Sequence, residues 1–316
     1  MDIHNDNWKD DFLKSSVLKY FCKRNEVNSS LLVSSNHSSL FLEFPDIKDF
    51  LDLYYKSFQI DMDVDSFTKS IIKDSKGLTP DSEDKGIIVY ELDDDRVLIG
   101  PPLLPKEVWA AGVTYSDSMR ERQAESETPD VYAKVYNAER PEIFFKATQD
   151  RIQGPFDEVG IRTDSGWDVP EAELALVIIS GQITGFTIGN DMSSRLIEGE
   201  NPLYLPQAKM YEKSCSIGPC IVSSKNINDP QNLDVYLQII RSEKQVFEGK
   251  CSTSQMKRTC EEIVDWLQRH NQVPDGTIVL TGTGIIPPQD FTLKENDLIK
   301  IQIETIGELV NKVVRV

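Results

Sequence analysis

Glu171, Glu173 and Asp191 are the residues whose types and spacing point most directly to chemistry. The two glutamates stand one residue apart in an apolar run, residues 169–179, that reads as a strand. Strand side chains alternate faces, so both glutamates point one way and Ala172 the other. After a turn at Ser180-Gly181-Gln182, a second strand-like run, residues 184–190, ends at Asp191. A hairpin joins the three acids if its loop holds about three residues or if a bulge shifts the register. Three carboxylates in a water-poor place repel one another unless a cation offsets them. Hard oxygen donors of this kind suit Mg²⁺, Mn²⁺ or Ca²⁺ better than zinc. The same spacing also fits an ordinary polar strand face, so the segments that follow Asp191 carry weight.

Those segments supply cations after the anions: Asp191-Met192-Ser193-Ser194-Arg195, then Pro206-Gln207-Ala208-Lys209-Met210-Tyr211. An amine beside a bound cation or in an apolar pocket loses its proton more easily, which makes Lys209 the acid/base candidate. Arg195 has the planar fork to hold a substrate carboxylate or, equally, to make a structural ion pair. The three histidines, His4, His37 and His270, are far from these segments in sequence, and His270 is expected at the end of a late helix, against its dipole. Histidine-dependent catalysis is not expected. Neither a GxSxG elbow nor a Walker loop is present, so serine hydrolysis and P-loop phosphoryl transfer lack support.

The elements that must position these groups follow from pattern. Residues 1–104 read as a smaller α+β domain. In it, Asp46 is placed to cap a helix with Ile47, Phe50, Leu51, Tyr54 and Phe58 on one stripe, and residues 86–92 and 96–100 flank an Asp93-Asp94-Asp95 turn as a hairpin. Pro101, Pro102 and Pro105 mark a boundary, and residues 105–316 read as the catalytic domain. There, helices are expected over 116–127, over 129–139 with Thr128 as cap, and over 260–271, with strands elsewhere beyond Glu142.

Two motifs fail on inspection. Asp61-Met62-Asp63-Val64-Asp65 opens like a calcium loop, but Ser66 holds the glycine position and Ile72 the glutamate position, which leaves a solvated acidic turn. Thr281-Gly282-Thr283-Gly284 has two glycines of a dinucleotide fingerprint, yet Pro287 and Pro288 deny it the helix that would follow, so it reads as a turn.

The 316 residues hold 34 Lys+Arg and 52 Asp+Glu, a formal charge of -18, which disfavours nucleic acid and anionic membrane as partners. The longest apolar run, Leu174 to Ile179, is far short of the roughly 20 residues that cross a bilayer. With neither a basic nor an apolar signal region at Met1–Asp6, a soluble cytoplasmic protein is expected. Cys22, Cys215, Cys220, Cys251 and Cys260 form no CxxC pair and are expected as free, partly buried thiols, and the sequons at Asn28 and Asn36 read as chance matches.

The run from Gly112 to Thr283 resembles the catalytic domain of the fumarylacetoacetate hydrolase superfamily. The matching motifs, in order, are Glu171-x-Glu173, residues 189–195 (Gly-Asn-Asp-Met-Ser-Ser-Arg), Gln207-Ala208-Lys209, Ser216-Ile217-Gly218-Pro219 and Thr281-Gly282-Thr283. The resemblance implies a mixed β-roll with a smaller N-terminal α+β domain, assembled as a homodimer or homotetramer. It implies Mg²⁺, with Mn²⁺ as substitute, on Glu171, Glu173 and Asp191. It also implies Lys209 beside the substrate, and Thr114, Tyr115, Arg195 and Thr283 in contact with it. Hydrolytic members carry a His and a Glu that activate water; here those positions hold Ser118 and Glu121. Residues 112–115, 139–146 and 197–206 resemble the branch that dehydrates 2-keto-3-deoxy sugar acids. That implies a small 2-keto acid substrate, of five carbons and giving 2-oxoglutarate semialdehyde, with Lys209 or Glu121 removing its C3 proton. The rival readings are an acylpyruvate-type C–C hydrolase or another 2-keto acid lyase or decarboxylase, and a catalytically silent metal- or ligand-binding protein.

Overall fold

The computed structural model describes residues 7–24, 29–36, 38–82, 86–125 and 129–316. His4, His37, the Thr128 cap, the residues of Met1–Asp6 and the sequon position Asn28 lie outside them. Among the described residues the chain is α+β and dominated by sheet, with a 13-stranded and a five-stranded sheet carrying most of the strands.

Strand Ala172–Ile179 shows why the layers form. It is buried along its whole length, so its apolar run serves two cores at once. Leu174, Leu176 and Ile178 face one core with strands of the five-stranded sheet (Val235, Leu237, Ile299, Ile301) and helix Cys260–Gln268. Ala175, Val177 and Ile179 face the other, with Phe50 and Leu53 of helix Phe50–Phe58 and Val64 and Ile72 of helix Val64–Asp74. Alternation at period two divides one continuous run between two layers.

The large sheet crosses from the N-terminal section into the region of the acids. Strands Leu18–Arg24, Ser29–Ser35 and Leu40–Phe44 form an antiparallel meander. The first of them also pairs with Cys215–Ser223, Lys19 opposite Val222, and that strand pairs with Gln182–Asp191. On the far side of Ala172–Ile179, Thr277–Leu280 runs parallel to Glu107–Gly112, whose other neighbour is Glu142–Thr148.

Several local expectations are corrected. Residues 86–100 do not form a hairpin: Ile87–Glu91 pairs with Leu40–Phe44, whereas Ile99–Gly100 pairs with Leu18–Arg24. A tight turn does follow Glu91, with the Asp94 N–H bonded to the Glu91 carbonyl, but the strands it joins find different partners. The cap of helix Phe50–Phe58 is Asp49, which accepts from the Asp52 N–H at 2.9 Å, so Ile47 precedes the helix and Phe58 is exposed. The acidic stretch 61–65 is neither a calcium loop nor a solvated turn. Asp63 caps helix Val64–Asp74, and Asp65 accepts from the Tyr20 and Ser223 hydroxyls, both at 2.5 Å. The late helix ends at Gln268, and His270, at φ 58°, lies in the turn beyond it. The other two helices span Ser116–Glu125 and Pro129–Asn137.

Candidate active site

The acids are gathered by one hairpin, as its sequence requires. Strand Ala172–Ile179 pairs with Gln182–Asp191, Glu173 opposite Gly189. The connection is a two-residue turn, Ser180 and Gly181, both at positive φ, combined with a bulge at Val177/Ile178. The Glu171 N–H donates to the Asp191 carbonyl at 3.1 Å and the Asp191 N–H to the Glu171 carbonyl at 3.0 Å. Residues that exchange both bonds stand directly opposite, so their side chains share a face, and Glu173, two residues on, shares it too. Asp168–Val169 and Ser193–Ser194 pair just outside them and hold the open end of the hairpin shut.

All three acids are buried, at 5%, 1% and 1% exposure. Each offers an oxygen within 4.8 Å of the others. Burial pushes the Glu173 carboxyl well above the usual range and the charges of Asp191 and Glu171 push it further. The Lys209 ammonium and the Gly282 N–H, which donates to Glu173 Oε2 at 2.5 Å, oppose the rise. Gly282 sits at φ 89°, and a side chain on it would overlap Thr114. Glycine there lets the backbone amide approach the acid.

Cations meet this cluster from three directions. Lys209, at the end of the short helix Leu205–Lys209, places its Nζ 2.8 Å from Glu171 Oε2, 3.1 Å from Asp191 Oδ2 and 2.6 Å from the Ser193 hydroxyl. Lys146 is fully buried and sets its Nζ 2.5 Å from Asp191 Oδ1. Arg195 approaches Glu171 Oε1 at 3.0 Å and Glu198 at 3.8 Å. These contacts join three cations to Glu171, Asp191 and Glu198, while Glu173 accepts from the Gly282 backbone amide. Hard oxygens, close spacing and a carboxyl driven toward its neutral form by its neighbours are what a divalent cation relieves, so the donor set fits Mg²⁺ or Mn²⁺.

A small cavity opens beside the triad, lined by Glu171, Asp191, Lys209, Thr283, Ser118 and Glu142 among others. About 20 Å³ of it is open to the centre of a water molecule, room for about one water. A far larger groove of about 480 Å³ lies on the outer face of the five-stranded sheet, between Tyr236, Lys250 and Lys300. It gathers no comparable cluster of acids, so chemistry rather than size selects the smaller cavity.

The structure brings Lys209 and Thr283 to the cavity with Glu171 and Asp191 and leaves five other candidates off its lining, Glu173 among them, one residue-pair deeper along the strand from Glu171. Arg195 sits behind Glu171 in the ion pairs just given. Thr114 donates its hydroxyl to the Thr281 carbonyl at 2.7 Å. Tyr115 is buried and bridges to Met256. Glu121 is half-buried on helix Ser116–Glu125, where Ser118 is the residue that reaches the cavity. Sequence reasoning missed Glu142 and Lys146 as site residues. Gly112 stands opposite Glu142 across the strand pair, and a side chain at 112 would overlap the Glu142 carboxylate. Glu142 and Phe144 share one strand face by period two and line the cavity, while Lys146, left unpaired by a bulge between Phe145 and Ala147, reaches Asp191.

Comparison with known proteins identifies the family. The family described as fumarylacetoacetate (FAA) hydrolase C-terminal matches residues 107–314. A probable 2-keto-3-deoxyxylonate dehydratase of Haloferax volcanii is 51% identical over 215 residues, 68% of this chain and 74% of that protein. The 2-dehydro-3-deoxy-D-arabinonate dehydratase of Saccharolobus solfataricus is 45% identical over 230 residues, 71% of this chain and 76% of that protein. A solved structure of 2-keto-3-deoxy-D-arabinonate dehydratase complexed with magnesium and 2,5-dioxopentanoate superposes with a TM-score of 0.76 at 34% identity. It covers 94% of this chain and 99% of the other. With its hairpin of acids inside the matched stretch, the chain belongs to the fumarylacetoacetate hydrolase family.

Proposed function

We propose that this protein dehydrates a five-carbon 2-keto-3-deoxy sugar acid to 2-oxoglutarate semialdehyde, using Mg²⁺ or Mn²⁺ held by Glu171, Glu173 and Asp191. The observation that carries the reading is the buried triad Glu171, Glu173 and Asp191 beside a cavity that Glu171, Asp191 and Lys209 line. A divalent cation there supplies positive charge next to the keto group, which makes the adjacent carbon more acidic.

The chain's own residues supply the proton transfers. Lys209 Nζ takes a proton from C3, and Ser193 and Glu171 hold it in place. The C4–O bond then breaks, and Glu142, which also lines the cavity, gives the leaving hydroxyl its proton, so that water departs. The C3=C4 alkene conjugated with the ketone shifts a proton from C5 to C3 to give a C4=C5 enol, whose hydroxyl proton then moves to C4 and leaves the C5 aldehyde. Thr283 is assigned a hydrogen bond to the substrate. Arg195 is assigned to orient Glu171 rather than to hold the substrate carboxylate, since its guanidinium lies behind that acid. No attacking water is needed, which agrees with Ser118 on the cavity wall.

Further parts of the reading are a division near residue 104, a homodimer or homotetramer, and a cytoplasmic location. The five buried free thiols support the last. No helix of the described residues is long and apolar enough to cross a membrane.

The test is a panel of 2-keto-3-deoxy acids and acylpyruvates, assayed with and without EDTA. The expected outcome is a semialdehyde from a five-carbon substrate, without pyruvate, lost on chelation and restored by Mg²⁺ or Mn²⁺. Rapid cleavage of acylpyruvates with inert sugar acids assigns a C–C hydrolase instead. Full turnover after chelation rejects the metal.

A further inference from the structure

We propose that Lys146 is a positioning residue for this site: one buried ammonium fixes both the orientation of the Asp191 carboxylate and the backbone that carries Lys209. The inference deepens the dehydratase reading and rests on it for the roles of those two groups. Lys146 Nζ lies 2.5 Å from Asp191 Oδ1 and donates to the Met192 carbonyl at 2.9 Å and the Lys209 carbonyl at 2.5 Å. An ammonium has three N–H donors, and here two carbonyls accept from it while Asp191 Oδ1 stands beside it as an ion pair. The side chain is fully buried, so such a charge is costly unless every donor is met.

The acceptors divide by function. Asp191 Oδ1 is held by Lys146 while Oδ2 faces Lys209 Nζ at 3.1 Å, so the carboxylate is bracketed between two ammoniums and its plane is set. The Lys209 carbonyl belongs to the last turn of the five-residue helix Leu205–Lys209, too short to hold itself in place. Lys146 anchors that turn to the segment just after Asp191. Strand Glu142–Thr148 thereby ties a metal-binding acid and the proton-accepting amine to one frame.

Lys146→Met keeps the length of the side chain and removes the ammonium. Mn²⁺ titration followed by electron paramagnetic resonance gives a decisive sign. Loss of a nearby positive charge by itself tightens Mn²⁺ binding, whereas loss of positioning loosens it. The expected result is Mn²⁺ affinity weaker by about tenfold or more. In the EDTA-treated protein, amides of residues 208–211 should exchange with solvent at least about tenfold faster as the helix end opens. Should the methionine variant not fold, Lys146→Gln, which keeps two N–H donors, is measured in the same way. Unchanged exchange at 208–211 together with equal or tighter Mn²⁺ binding overturns the proposal. A wild-type protein that binds no Mn²⁺ overturns the metal reading alone, and the exchange rates then decide the role of Lys146.

Discussion

Two buried clusters of charge in this molecule are built to opposite ends. In the N-terminal meander, Glu43 accepts from the Ser30 hydroxyl at 2.6 Å, from Lys23 Nζ at 2.9 Å and from the Tyr90 hydroxyl at 2.7 Å, and Lys23 also donates to Tyr90 at 2.6 Å. One anion meets one cation. Burial alone would raise the Glu43 carboxyl, yet these hydrogen bonds outweigh it and hold the group below its ordinary range. Around the triad the balance reverses, and burial with two neighbouring carboxylates drives Glu173 up. A cluster that satisfies its own charges is a fastening. One that leaves an acid strained by its neighbours is prepared for something that arrives later.

The contrast is most sharply tested at Lys209. Lys209→Ala should lower kcat by about 100-fold or more with a smaller change in KM, and Lys209→Arg should not rescue it, because a guanidinium does not readily shed a proton. Equal kcat in the alanine variant would remove Lys209 from the chemistry.

Lys23→Met should behave in the opposite way, leaving kcat unchanged while lowering stability by about 2 kcal/mol in urea unfolding, because Glu43 then loses its cation. The sign of its pH dependence follows from the lowered Glu43 pKa. Stability from this group is present above the unfolded value of about 4.3 and is lost as pH falls through the folded one. Removing Lys23 should flatten that acid limb. A large loss of kcat with full stability would erase the distinction between the clusters.

The smallest effect concerns Glu173, whose folded pKa is raised. For a raised group, stability is present below the unfolded pKa and is lost as pH rises through the folded one. EDTA-treated wild type should therefore weaken as pH climbs from about 4.3, and Glu173→Gln should abolish that loss, with Tm at pH 8 higher by roughly 2–4 °C. The same variant should bind Mn²⁺ more weakly. A lower Tm on substitution would mean that the triad is a fastening after all.

The acids were legible because period two is local: a strand with two glutamates one residue apart, a turn, and an aspartate at the end of the returning strand leave little freedom. Lys209 was legible as a cation following those anions. Lys146 and Glu142 were not, since their strand lies four places from Gln182–Asp191 in the sheet, and nothing local announces that Lys146 meets Asp191. Arg195 shows a different limit. Sequence specified its planar fork but not on which side of Glu171 it would lie. The false hairpin at 86–100 came from turn chemistry, for Asp93-Asp94-Asp95 bends the chain equally well whether the flanking strands return to each other or part.

The pairing of Leu18–Arg24 with Cys215–Ser223 has a consequence for dissection of the chain. The family match begins at residue 107, and every acid and cation of the site lies beyond it. Cutting the chain there would strip Cys215–Ser223 of a neighbour and uncover apolar side chains that Phe50, Leu53 and Ile72 now shield. An unpaired strand beside a bare apolar face is a template for self-association. The segment that holds the chemistry is thus kept from aggregating by a segment that contributes none of it.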